Sequence, residues 1–167
     1  YNPLSMGLAG AGTLRIPQGK AYDEVVVGDE FDYVLTFTET HLVTAAGLFG
    51  DFNPLHVDET FASKSRFGGR ILHGPFTSAF VAAPVGLYFC GTAIAYLEHS
   101  CRFMAPVRPG DTLRALWRVI ATTDKPKFDG GIVELSCCCT NQSGVEVASA
   151  AGKILVESTN STPEIDV

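Results

Sequence analysis

Four segments with alternating apolar and polar residues follow one another in the C-terminal half of this chain. They cover residues 92–103, 112–122, 131–140 and 145–156. A period of two residues predicts β-strands that bury one face. Turn residues separate the strands, most clearly in Asn141-Gln142-Ser143-Gly144, which predicts a hairpin between the last two. The second half of the chain is therefore expected to form an antiparallel sheet.

The residues before those strands predict one more strand and a first helix. Residues 31–37 alternate well enough for a strand, and Thr38 or Thr40 can then cap a helix over residues 39–48. Gly50 is placed where glycine commonly ends a helix. Because the helices come before a run of strands, the pattern indicates an α+β fold and not a parallel βαβ sheet.

A second helix, beginning at Gly74, is predicted to lie in the core. Pro75 occupies the favoured first-turn position, and the residues that follow are apolar around most of the helix. Pro84 is expected to bend or shorten it. A short helical turn, capped by Asp58 and ending at Ala62, comes before it. The expected architecture is an antiparallel sheet wrapped around one long apolar helix.

Length and charge limit the class of protein. A chain of 167 residues favours one domain. We assign it to residues 21–157, between a flexible lead-in over 1–20 and a polar tail over 158–167. The net charge of −6 argues against a nucleic-acid partner. Residues 71–97 carry no charged side chain, but prolines, glycines and hydroxyl residues interrupt them. We expect a soluble, cytoplasmic protein with reduced thiols and no membrane partner.

Asp51 and His56 are the first candidates for chemistry, because Gly50 and Pro54 force the chain between them to turn. A carboxylate and an imidazole held together form a natural acid–base pair. The same Asp-x-Asn-Pro pattern is an ordinary turn signal, and a single aspartate or histidine in a loop is commonly only solvated. Both interpretations stay open from this loop considered by itself.

His73 and Gly74 precede the second helix directly. A glycine at a helix start leaves a backbone N–H open at the positive end of the helix dipole, which suits a developing oxyanion on a thioester carbonyl. Pro75 removes the next donor. The alternative is simply a capped core helix.

Several motifs occur together in one order. They read G-D-F-N-P-L-H over 50–56, F-G-G over 67–69, H-G over 73–74 and R-F-M-A-P-V-R-P-G-D over 102–111. Over about residues 25–157 the chain resembles the MaoC-like, (R)-specific enoyl-CoA hydratase family. The resemblance implies a hot-dog fold, a homodimer or higher oligomer, a catalytic pair of Asp51 and His56, and a thioester oxygen bound by the Gly74 N–H. One departure is Ala82, where some members carry a serine.

The resemblance implies reversible addition of water across the 2,3 double bond of an enoyl thioester. His56 as base and Asp51 as proton donor is the preferred assignment, and the reverse assignment stays open. Coenzyme A is part of the substrate, no other cofactor is expected, and an acyl-carrier-protein thioester is a variant. The residues predicted to bind substrate are Asn53, His73, Phe76, Ser78, Lys64, Arg66 and Arg70.

Two other functions remain alternatives: an acyl-CoA thioesterase on the same fold, and a non-catalytic acyl-binding subunit. The histidines lack the close spacing of zinc sites, so no metal is predicted.

Overall fold

Five strands form one antiparallel sheet in the computed structural model, which describes residues 18–159. The strands are paired in the order β1-β3-β4-β5-β2. Their bounds are β1 (Glu30–Thr36), β2 (Ala93–Phe103), β3 (Thr112–Lys125), β4 (Gly130–Asn141) and β5 (Glu146–Glu157). All five strands were predicted from the period-two pattern, and the α+β class is confirmed.

Four helices accompany the sheet: α1 (Glu39–Phe49), α2 (Pro54–Val57), α3 (Glu59–Ala62) and α4 (Gly74–Tyr88). Short 3-10 turns lie at Tyr22–Glu24 and Pro126–Phe128. Helix α2 falls where the sequence predicted only a loop. It forms because the Asn53 side chain accepts the Leu55 N–H at 3.0 Å and Pro54 starts the turn.

Helix α4 packs on the sheet and contacts β1, β2 and β3. Its buried residues include Phe80, Val81 and Val85. The Trp117 indole N–H donates to the Val81 carbonyl at 2.8 Å and so ties β3 to the middle of the helix. The sheet contributes alternate residues to the same core, including Leu113, Ala115, Val119, Val133, Leu135, Cys137, Cys139 and Ile154.

Pro84 does not shorten α4, contrary to one of the two effects predicted for it. The helix continues for four residues beyond Pro84, to Tyr88. Pro84 and Val85 are buried, and so is Phe89 directly after the helix. This apolar burial offsets the lost backbone hydrogen bond. Within residues 18–159, none of the helices has the length and apolar character that crossing a bilayer requires.

Both ends of the described chain are attached to the domain. The Gly19 N–H donates to the Cys90 carbonyl at 2.7 Å, and the Thr159 N–H donates to the Asp23 carboxylate at 2.9 Å. The remainder of the predicted lead-in, residues 1–17, and of the predicted tail, residues 160–167, lies outside the described residues. The domain limits of 21 and 157 therefore stay a prediction.

Candidate active site

Asp51 and His56 are brought together by the turn that follows α1. Gly50 ends the helix with φ of 70°, a left-handed conformation that glycine adopts readily. The Asp51 carboxylate then accepts the Asn53 N–H at 3.1 Å, and Asn53 caps α2, which carries His56. As a result, Oδ2 of Asp51 lies 3.8 Å from Nε2 of His56.

The two members of this pair differ in exposure. The Asp51 side chain is 50% exposed and the His56 side chain only 12% exposed. The pair thus has one face toward solvent and one toward the protein.

One hydrogen bond of the His56 ring determines its tautomer. Nδ1 of His56 lies 2.7 Å from the Ile71 carbonyl oxygen. Because a carbonyl only accepts, Nδ1 carries the proton, and in the neutral ring the lone pair is on Nε2, the nitrogen nearer Asp51. His56 is therefore oriented as a base toward the space beside the Asp51 carboxylate.

Gly74 is the first residue of α4, and its N–H has no acceptor within residues 18–159. A Cβ at this position would lie 3.0 Å from the Phe103 ring, so glycine allows that ring to approach the helix start. A cavity of about 310 Å³ lies alongside, lined by Gly74, Thr77, Phe103 and Met104 among others. The geometry leaves an open donor at the edge of a largely apolar cavity, as an oxyanion site requires.

His73 lies behind the pair and is 1% exposed. Its Nε2 is 2.9 Å from the backbone carbonyl oxygen of Asp51. Its ring stacks on His56 with 3.8 Å between centroids. The sequence predicted His73 as a substrate contact and did not predict these interactions.

Asp51, His56 and His73 each offer one potential metal-ligand atom within 4.8 Å of the other two. In this set, Nε2 of His73 and Nδ1 of His56 are already bonded to backbone carbonyls. Nδ1 of His73 has no hydrogen-bond partner within residues 18–159.

The other predicted substrate residues are spread over a wider region. The Phe76 ring packs against the rings of Phe37 and Phe49. Ser78 faces β2, where its Oγ lies 2.9 Å from Nε2 of His99. Burial lowers the pKa of His99. This pairing has no signal in the sequence, because no short-range pattern links the two residues.

The three predicted basic residues differ in their contacts. Arg70 binds the carboxylates of Glu39 and Glu59, and these hydrogen bonds raise the pKa of Arg70. Lys64 and Arg66 are exposed, and neither takes part in an ion pair within the described residues. Lys64 also borders an open depression beside α3, of about 450 Å³.

Arg108 was not predicted to have a role. Its guanidinium donates to the Phe67 carbonyl and so holds the loop of Phe67, Gly68 and Gly69. Backbone acceptors of this kind have no signature in sequence.

Fold and site together define an antiparallel sheet around a central helix, with an Asp–His pair and an open N–H at the helix start. Residues 25–134 match the family model described as the MaoC like domain. The chain belongs to this MaoC-like family.

Two relatives of known family agree with that assignment. The chain is 32% identical over 136 residues to the (R)-specific enoyl-CoA hydratase of Rhodospirillum rubrum, covering 81% of this chain and 85% of the relative. It is 38% identical over 103 residues to the 3-hydroxybutyryl-CoA dehydratase of Methylorubrum extorquens, covering 62% of this chain and 63% of the relative.

A solved structure with the same architecture is the unliganded R-hydratase PhaJ1 of Pseudomonas aeruginosa. It superimposes with a TM-score of 0.73 at 28% identity, covering 88% of this chain and 96% of that one. The hot-dog fold expected from the sequence is thereby confirmed.

Proposed function

We propose that this protein is a hydro-lyase that adds water reversibly across the 2,3 double bond of an enoyl-CoA and forms the (R)-3-hydroxyacyl-CoA. One observation carries the proposal: Nε2 of His56 and Oδ2 of Asp51 are separated by 3.8 Å. A water molecule at about 2.8 Å from each atom fits that separation. The relatives named as hydratases and dehydratases support the same reaction.

The proposed hydration begins at His56. Nε2 takes a proton from the bound water while the hydroxyl adds to C3 of the substrate. The charge that develops on the thioester oxygen is stabilised by the Gly74 N–H at the start of α4.

The Asp51 carboxyl group, which enters the cycle protonated, then gives its proton to C2 and becomes a carboxylate. Transfer of the proton from His56 back to Asp51 restores both groups. Water and these two side chains supply every proton that the reaction needs, so the proposal includes no cofactor.

The anionic end of coenzyme A is proposed to lie near Lys64 and Arg66. Both cations are exposed in the segment between α3 and Gly69, and neither is in an ion pair within the described residues. Arg70 belongs to the same predicted set, although two carboxylates already occupy its guanidinium. Asn53 is proposed to shape the water site by fixing the turn that carries His56.

A homodimer is proposed as the working form. Within residues 18–159, β2 pairs only with β5, so its outer edge is available to a second chain. Ile94 and Leu97 on this strand are 43% and 51% exposed. An unpaired edge with apolar side chains favours pairing with another copy.

The deciding experiment follows the loss of enoyl-thioester absorbance with crotonyl-CoA and with longer and branched enoyl-CoAs, while free thiol is measured in parallel. Loss of absorbance without thiol release is expected. Chiral analysis of the product should give the (R) alcohol. Thiol release would support the thioesterase alternative instead, and no change in either signal would support an acyl-binding subunit. Exposed Cys138 contributes a background to the thiol assay, which enzyme without substrate measures.

A further inference from the structure

We propose that His73 is a positioning residue that fixes the Asp51 backbone and the His56 ring relative to the Gly74 N–H. This inference rests on the proposed hydratase function. The side chain is 1% exposed, and it meets both members of the pair from the protein side. Its role thus differs from the direct substrate contact that the sequence suggested.

His73 holds the backbone of Asp51 through a hydrogen bond. Nε2 of His73 lies 2.9 Å from the Asp51 carbonyl oxygen, so Nε2 carries the proton and donates it. Asp51 follows the left-handed Gly50 and is half exposed, and the Asn53 N–H is the donor to its carboxylate. The His73 bond therefore anchors the backbone of a catalytic residue that otherwise lies at the surface.

His73 also stacks on the ring of His56. The two imidazole rings lie 3.8 Å apart with 29° between their planes. The Ile71 carbonyl holds one edge of the His56 ring, while His73 covers one face. Together these contacts fix both the tautomer and the plane of the proposed base.

The groups that orient the site are close together in the sequence. Ile71, His73 and Gly74 belong to one four-residue segment at the start of α4. Its Ile71 carbonyl orients His56, its His73 ring anchors Asp51, and its Gly74 N–H is the proposed oxyanion donor. One short segment therefore holds the Asp51 backbone, the His56 ring and the proposed oxyanion donor, in addition to the turn that joins Asp51 to His56.

The unpartnered nitrogen of His73 argues against a purely structural role. Nδ1 is buried and has no hydrogen-bond partner within residues 18–159. A buried acceptor without a donor is destabilising, so packing does not explain a histidine at this position. The need for a hydrogen-bond donor at the position of Nε2 explains why a histidine is found here.

Three substitutions test the proposal. His73→Gln places an amide N–H four bonds from Cα, as Nε2 of histidine is, so the bond to Asp51 can be kept. His73→Asn places its amide one bond short, and His73→Phe keeps a flat ring without a donor. We expect kcat for crotonyl-CoA hydration to fall about 10- to 100-fold in the Phe and Asn variants. KM should change less than about threefold, and His73→Gln should stay within about fivefold of the wild-type kcat.

Thr92→Val is the matched control. The Thr92 hydroxyl also donates to a backbone carbonyl from a buried position, that of Lys20 at 2.6 Å, but just beyond the far end of α4. Its loss should lower thermal stability and leave kcat unchanged. If His73→Phe does not fold, the comparison of kcat between His73→Gln and His73→Asn tests the proposal.

Wild-type kcat in folded His73→Phe or His73→Asn would overturn the proposal, as would a Gln variant as slow as the Asn variant. Failure of the wild-type protein to hydrate any enoyl-CoA would instead overturn the proposed function.

Discussion

At the scale of single residues, the site depends on which atoms accept hydrogen bonds. Nδ1–H of His56 donates a hydrogen bond to the Ile71 carbonyl, and Nε2 faces Asp51. An aspartate and a histidine at this spacing could equally form a solvated turn. The carbonyl contact is what orients the imidazole as a base, because it fixes the ring nitrogen that can receive a proton.

Asp51→Asn and His56→Ala should each lower the rate of hydration by at least about 100-fold. Removal of a positioned acid or base has effects of this order. KM should change far less than kcat, because each group acts on the reacting atoms and not on the coenzyme A portion. Steady-state kinetics with crotonyl-CoA measure both constants.

Asp124→Asn is the control for Asp51→Asn. Asp124 is exposed and accepts the Tyr22 hydroxyl at 2.6 Å, an interaction that asparagine can keep. Its kcat should equal that of the wild type. Near wild-type hydration by either site variant would remove that residue from the mechanism.

At the scale of elements, Arg70 connects α1 to α3. Its guanidinium binds Glu39 at the start of α1 at 2.6 Å and Glu59 at the start of α3 at 3.0 Å. Both carboxylates are more than half exposed, so solvent weakens each ion pair. The contacts nevertheless hold together the two helices on either side of the Asp51–His56 turn.

Arg70→Gln should therefore act mainly on stability. The loss is about 1–2 kcal/mol of unfolding free energy, or a fall of roughly 2–8 °C in Tm, with KM within about twofold of the wild type. Lys64→Gln and Arg66→Gln should act on substrate binding and not on stability. They should raise KM for enoyl-CoA about 3- to 10-fold at low salt, with a smaller effect at high salt, and leave Tm unchanged.

Thermal unfolding and kinetics at two salt concentrations separate these outcomes. A KM increase in Arg70→Gln equal to that in Lys64→Gln would contradict the structural role and support a phosphate contact for Arg70.

The elements were predictable from sequence wherever periodicity and capping agree. The strands and α1 follow from alternation and from Gly50, and α4 from Gly74 and Pro75. The one-turn α2 was not predicted, since four residues carry no helical period and only the Asn53 cap marks it. The motif identified Asp51 and His56, but contacts such as Ser78 with His99 depend on how α4 packs on β2.

At the scale of the whole molecule, the sheet has two edges of different character. Strand β1 has seven residues, and Glu30 and Asp32 on it pair with arginines of β3. Short length and charge both protect an edge from further pairing. Strand β2 has eleven residues and exposes Ile94, Tyr96 and Leu97. The β2 edge is therefore the one we expect a second copy to cover.

Leu97→Lys should convert a dimer into a monomer, because a lysine on an apolar edge opposes strand pairing and must be desolvated in the interface. Light scattering during size-exclusion chromatography should give twice the 17.8 kDa chain mass for the wild type and the chain mass itself for the variant. Ile120→Lys is the matched control. Ile120 is 48% exposed, like Leu97, but lies on β3, which β4 and β5 separate from β2 in the sheet. The Ile120→Lys variant should remain dimeric. A monomeric wild type, or a Leu97→Lys variant that stays dimeric, would mean that the β2 edge is not the interface.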